Sequence, residues 1–163
     1  MKIENKSKPR LQIIRGLPGS GKTTLALEKY PNLLRLETEM FFYRGGRYRF
    51  TKDLNKAAVK WFLKTVDRFC KRGFDFVVTG VFAAHTERLE SVINSAIANG
   101  YEVTIKTMTR NYGSIHGVPQ EHFKAMKDDF LSDSKLKELY KNTPVKFGLM
   151  KDGTELIKEN KHK

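Results

Sequence analysis

Gly16-Leu17-Pro18-Gly19-Ser20-Gly21-Lys22-Thr23 fits the pattern G-x-x-x-x-G-K-[ST] at every fixed position. Glycines in that spacing let the backbone curl, so that consecutive N–H groups converge on a polyphosphate at the positive end of the following helix. Lys22 supplies a cation for the β and γ phosphates, and Thr23 a hydroxyl for Mg²⁺. Gly16, Pro18, Gly19, Ser20, Gly21, Lys22, Thr23 and the adjoining Thr24 are therefore the predicted nucleotide contacts. The plain alternative is a glycine-rich connection that holds no ligand. A β-branched stretch at 11–15 and a helix-like stretch at 24–30 supply the context that the phosphate-binding reading requires.

The elements that must position this loop follow from the apolar pattern. Runs at 11–14, 33–36, 74–78 and 103–105 read as strands, and they alternate with helical stretches. That alternation predicts an α/β domain layered about a parallel sheet. A helix over about 52–72 places Leu54, Ala58, Trp61, Phe62, Val66 and Phe69 on one face. Another, over about 86–99, buries Leu89, Val92, Ile93, Ala96 and Ile97 and stops at Gly100. A further helix opens at Pro119 and buries Phe123, Met126 and Phe130, and Ser134 is the expected cap of a short one after it. Val145, Phe147 and Leu149 alternate ahead of Lys151-Asp152-Gly153, which predicts a small hairpin, and 159–163 read as a frayed end.

The whole chain of 163 residues reads as one domain, with a core over about 11–131 and a basic helix-and-hairpin extension over 132–163. The single Cys70 excludes a disulfide framework and suits a reducing compartment. No apolar run reaches membrane-spanning length and the opening MKIENKSKPR lacks the apolar stretch of a signal peptide, so a cytoplasmic protein without a membrane partner is expected. The net charge of +13 favours an anionic partner, nucleic acid above all, against the plain alternative that lysine serves solubility. Lys52, Lys56, Lys60, Lys64, Arg68 and Arg72 form a basic ridge along one helix. A solvated lysine face explains such a ridge equally well. Arg44, Arg47 and Arg49 alternate with aromatics nearby, a composition that contacts phosphates and stacks on unpaired bases. Tyr48 and Phe50 are equally suited to a core.

Three further stretches go with the loop: Leu36-Glu37-Thr38-Glu39-Met40-Phe41-Phe42, Gly46-Arg47-Tyr48-Arg49-Phe50 leading to Ala58 and Trp61, and Ser114-Ile115-His116-Gly117-Val118-Pro119. With them the chain resembles, over roughly residues 11–131, the P-loop kinase family of phage polynucleotide kinases and the small ATP-binding proteins related to the kinase-like domain of NEDD4-binding protein 2. The resemblance implies a P-loop NTPase (kinase-like) three-layer sandwich with a central parallel sheet. It implies ATP and Mg²⁺, and transfer of the γ-phosphoryl group to a hydroxyl, typically the 5′ end of a nucleic acid. Where the family has an aspartate as the base, this chain has Glu39, and Glu37 is the second candidate, for the base or for Mg²⁺ through water. Arg110 stands where such kinases place an arginine on the transferred group, although a surface arginine in a polar loop has the same composition.

The acceptor half departs from that pattern. The polar pair expected after the third strand is Gly80-Val81, with Thr79 and His85 as substitutes; the asparagine before His116 is Ser114; Asp129 replaces an arginine and Val59 a histidine. His116 reads as a structural residue beside Gly117 before it reads as a base. No zinc-ligand spacing and no Ser/His/Asp arrangement is present. Two classes of function stay open: a phosphotransferase acting on a nucleic-acid or nucleotide hydroxyl, and a catalytically impaired ATP-binding module for nucleic acid or protein. A small-metabolite kinase is a third. Lys22, Thr23, Glu39 and Arg110 favour the first, and Gly80-Val81 the second.

Overall fold

A computed structural model describes residues 8–17, 20–37, 40, 43–44, 47–48, 51–82, 87–109, 121, 124, 127–128, 130–148, 150–151 and 154–155. Its main sheet is built from β1 (Arg10–Arg15), β2 (Leu34–Glu37), β5 (Phe76–Gly80), β6 (Glu102–Thr107) and β7 (Val145–Phe147), in the order β2-β5-β1-β6-β7. Every pairing in it is parallel. β1 is central, and the chain passes from β5 on one side of it to β6 on the other. An α/β sheet binds its ligands outside the carboxyl ends of the strands at such a reversal. Arg15 is in register with Gly80 and Thr107, and Glu37 with Thr79, so these residues share that edge.

Alternation along the strands divides the core in two. On one face α1 (Lys22–Lys29) packs Leu25 and Ala26 against Ile14, Val77 and Met108. On the other, α2 (Lys52–Arg72), α3 (Glu87–Ala98) and α4 (Asp133–Leu139) cover a larger cluster that includes Leu11, Ile13, Phe76, Val78 and Ile105. α2 begins where Thr51 accepts a hydrogen bond from the Leu54 N–H at 3.0 Å and ends at Gly73, whose φ of 71° suits only glycine without strain. It buries Ala58, Phe62, Val66 and Cys70, one residue in every four. Lys60, Lys64, Arg68 and Arg72 each follow one of these by two positions, about 200° around the helix, so the basic ridge stays opposite the core along its length. All six ridge cations are exposed. Trp61 and Phe69 are only partly buried, and Cys70 belongs to the core instead. Burial pushes the Cys70 thiol up to about 12, with a further push from Asp67.

The predicted strands and the helices beginning at 22, 52 and 87 agree with the structure to within a few residues. Three expectations are corrected. Val145–Phe147 is not a hairpin arm but the fifth strand of the main sheet, because Val145 and Phe147 pack onto the larger core and the Gly148 N–H donates to the Ile105 carbonyl at 2.9 Å. The hairpin is the shorter pair β8 (Met150–Lys151) and β9 (Thr154–Glu155). The cap of α4 is Ser132, whose extended backbone lets its hydroxyl accept from the Lys135 N–H at 3.2 Å, and Ser134 lies within the helix. Phe130 lies outside helical backbone and packs under Arg15, whereas Glu121, Lys124, Lys127 and Asp128 are helical and exposed. Pro119, Phe123, Met126 and 159–163 lie outside the described residues. The short antiparallel pair β3 (Tyr43–Arg44) and β4 (Arg47–Tyr48) brackets Gly45-Gly46 in the sequence, the composition that a two-residue connection favours.

Candidate functional site

The phosphate loop grows out of the end of β1. The Gly16 N–H donates to the Gly80 carbonyl at 3.1 Å, tying the loop's entry to β5. A side chain at Gly16 would collide with the Ser20 hydroxyl and stand 3.0 Å from Met108 Cβ, so the loop can fold this closely only with glycine there. The Ser20 N–H donates to Leu17 at 3.1 Å, and Gly21, at φ 91°, turns the chain into α1. Lys22 is buried, with Nζ donating to the Leu17 carbonyl at 3.2 Å. The buried Ser20 hydroxyl has no partner among the described residues. An orphaned polar atom inside a glycine-rich turn fits a loop built around an anion.

On the α1 face beside the loop, Glu37 gathers three side chains. Its Oε2 accepts from Thr23 Oγ1 at 3.0 Å and from the Thr79 hydroxyl, and its Oε1 accepts from Arg35 Nη1 at 2.7 Å. The strand periodicity of β2 puts Arg35 and Glu37 on one side, so the pairing could have been read from the sequence. Thr79 stands on the α1 face with Val77 and serves the carboxylate. The set is made of hard oxygen donors: the Thr23 hydroxyl directly and Glu37 through water are suited to Mg²⁺ beside phosphates.

On the opposite face the sequence analysis missed Arg15, which is fully buried. Its Nη1 donates to Thr107 Oγ1 at 3.1 Å, and its Nη2 to the carbonyls of Phe82 at 3.1 Å and Leu131 at 2.7 Å. The Phe130 ring lies 4.0 Å from the guanidinium carbon. Burial pulls the Arg15 guanidinium down to about 10, partly offset by Asp133. Thr107 Oγ1 in turn donates to Asp133 Oδ1 at 3.2 Å. Phe82 has a φ of 44°, uncommon for a residue with a side chain, and its ring folds back over Gly80. A Cβ at Gly80 would stand 2.9 Å from that ring, which explains glycine where a polar residue was expected.

Thr24 is exposed on α1. Arg44 and Arg47 are in register across β3 and β4. Pro18, Gly19, Glu39, Arg49, His85, Arg110, Ser114, His116 and Asp129 lie outside the described residues. No helix among the described residues is long and apolar enough to cross a membrane, and no group of His, Cys, Asp and Glu among them could hold a metal by itself.

Comparison with solved structures agrees on the fold. A chain of the PezAT chromosomal toxin-antitoxin system of Streptococcus pneumoniae is 18% identical, with a TM-score of 0.53 over 85% of this chain and 57% of that one. A chain of the Pnkp1/Rnl/Hen1 RNA repair complex is 17% identical, with a TM-score of 0.51 over 86% of this chain and 46% of that one. Chaetomium thermophilum Kti12, solved with ADP-AlF3, is 12% identical, with a TM-score of 0.51 over 84% of this chain and 87% of that one. The chain thus spans about half the length of the PezAT and Pnkp1/Rnl/Hen1 chains it matches. The fold is that of a P-loop kinase-like α/β protein. The family model for Zeta toxin matches residues 1–125, which take in the phosphate loop, the Glu37 cluster and Arg15, and the chain belongs to the Zeta toxin family.

Proposed function

We propose that this chain is an ATP-dependent phosphotransferase that moves the γ-phosphoryl group to a hydroxyl of a nucleic acid or nucleotide. The observation that carries the reading is the Thr23 hydroxyl held 3.0 Å from the Glu37 carboxylate, beside the buried Lys22 at the start of α1. Backbone N–H groups of the loop and Lys22 bind the β and γ phosphates. Thr23, with Glu37 through water, would hold Mg²⁺, and the ion would supply charge neutralisation for those phosphates. The acceptor oxygen forms the new bond to γ-phosphorus as the bond to the β–γ bridging oxygen breaks; Glu39 takes the hydroxyl proton and ADP leaves. Arg110 is assigned to the transferred group. The net charge of +13 supports an anionic acceptor, and one structural neighbour is a chain of an RNA repair complex, which agrees with it.

Incubation with γ-labelled ATP and Mg²⁺ against 5′-hydroxyl RNA, 5′-hydroxyl DNA, nucleotides and a metabolite panel tests the proposal. Label on a nucleic acid or nucleotide is expected. Label on a metabolite alone would overturn the acceptor class. The Phe82 ring over Gly80, in place of a polar anchor, favours a second reading, an ATP-holding binding module. Nucleotide binding without transfer to any acceptor would decide for that reading.

A further inference from the structure

The basic ridge along α2 has no part in the chemistry at the loop, and it is built at a cost. Lys52, Lys56, Lys60, Lys64, Arg68 and Arg72 are all exposed, and none is in an ion pair among the described residues. Neighbours in the row stand four residues apart, where like charges repel across one turn and destabilise a helix. Lys52 also lies in the first turn, at the positive end of the helix. The only acids in α2 are Asp53, off the row, and Asp67, whose carboxylate takes Lys71 at 2.9 Å. A face that served solubility alone would interleave both signs, since acids four residues from lysines stabilise a helix.

Packing ties the ridge to the loop. The Phe69 ring stands edge-on to Phe76, the first residue of β5, with 5.3 Å between centroids, so the Arg72 end lies at the amino edge of the sheet. The Phe62 ring stands 6.4 Å from that of Phe82, past the other end of β5, and Phe82 covers the Gly80 whose carbonyl holds the entry of the phosphate loop. Residues 52–61 continue on the loop's side for about 15 Å, at about 1.5 Å per residue, and carry Lys52, Lys56 and Lys60. A straight row one cation wide suits one flexible phosphate chain. Each backbone of a duplex winds through a full turn in about 35 Å, and a straight row of about 30 Å would lose it along part of that length. We propose that the outer face of α2 is a docking track for a single strand of nucleic acid, whose backbone phosphates follow the row from Lys52, on the loop's side, toward Arg72. The track rests on the phosphotransferase reading above and extends it from the reacting end of the acceptor to the strand behind that end.

The test is fluorescence anisotropy on the full chain without ATP, over a salt series. The probe is a single strand of about twenty nucleotides, enough to cover the row at about 3.4 Å per nucleotide. One variant combines Lys56→Gln, Lys60→Gln, Lys64→Gln and Arg68→Gln. Its control combines Lys8→Gln, Lys29→Gln, Lys127→Gln and Lys135→Gln, which removes the same charge from exposed positions elsewhere. The ridge variant is expected to bind the strand more weakly and to flatten the slope of log K against log salt by about 2.8, four phosphate contacts at about 0.7 each. The control should flatten it by less than half of that. Glutamine suits a helix and the change removes the repulsion in the row, so the melting temperature should stay level or rise. Lys56→Arg, Lys60→Arg and Lys64→Arg together should bind as the wild type does, because a backbone phosphate accepts either cation. Equal flattening in the two glutamine variants, an unchanged slope in the ridge variant, or tighter binding of a duplex of the same length would overturn the track. So would binding of the wild type to phosphatidylserine vesicles but not to the strand. Absence of transfer by the wild type overturns the phosphotransferase reading and leaves the binding result standing. Label on a mononucleotide with no binding of the strand overturns the track alone.

Discussion

Two polar clusters flank the phosphate loop at one edge of the sheet, on opposite faces, and they are built in opposite ways. On the α1 face a carboxylate, Glu37, collects Thr23, Thr79 and Arg35 in a partly exposed position. On the other face a cation, Arg15, is sealed among Thr107, Phe82, Leu131 and Phe130. The difference follows from cover. Among the described residues, the α1 face is closed beside the loop by a helix of 8 residues, whereas the other face carries the 21 residues of α2 together with α3 and α4. A partly exposed oxygen cluster can exchange water and hold a hydrated cation, while a sealed cation can only hold protein. One flank is suited to chemistry and the other to alignment.

The contrast breaks most sharply at Lys22. Lys22→Ala is expected to remove Mg–ATP binding and to lower transfer by roughly a thousandfold or more, because the loop N–H groups alone hold the β and γ charge weakly. Calorimetric titration checks it, and wild-type affinity in the variant would mean that the phosphates lie elsewhere. Next in size is the proposed base. Glu39→Gln should keep ATP affinity and cost transfer about a hundredfold, whereas Glu39→Asp should retain or raise activity. Equal rates for Glu39→Gln and the wild type would remove Glu39 as base.

Glu37→Gln sharpens the comparison on its own flank. The amide keeps the shape but loses the anion that gathers Thr23, Thr79 and Arg35, so Mg²⁺ affinity in the presence of ATP should fall about tenfold, with less change without the metal. A change at the base-like level in transfer, with Mg²⁺ affinity intact, would exchange the roles of Glu37 and Glu39. The smallest effect is expected from the basic side chains outside the phosphate loop. Alanine at Arg44, Arg47 and Arg49, or at Lys60, Lys64 and Arg68, should weaken binding of single-stranded nucleic acid, each lost phosphate contact flattening the salt slope by about 0.7. An unchanged slope in both triple variants would leave the net charge of +13 to solubility.

The sequence by itself determined whatever depends on near neighbours. The loop at Gly16–Thr23 is a contiguous pattern, and the buried row of α2 is a local period, so both were legible before any fold was known. Arg35 beside Glu37 was within reach for the same reason, since two residues of one strand share a face. Arg15 was not. Its partners at Phe82, Thr107 and Leu131 stand 67, 92 and 116 residues along the chain, and in the sequence it is only a cation closing an apolar strand. Thr79 turned toward Glu37, and Val145–Phe147 taken into the main sheet, were likewise decided by packing. Local pattern states which face of an element is apolar. Only the assembled sheet states what stands opposite that face, because those contacts arise between segments whose order in the chain carries no record of their distance in space.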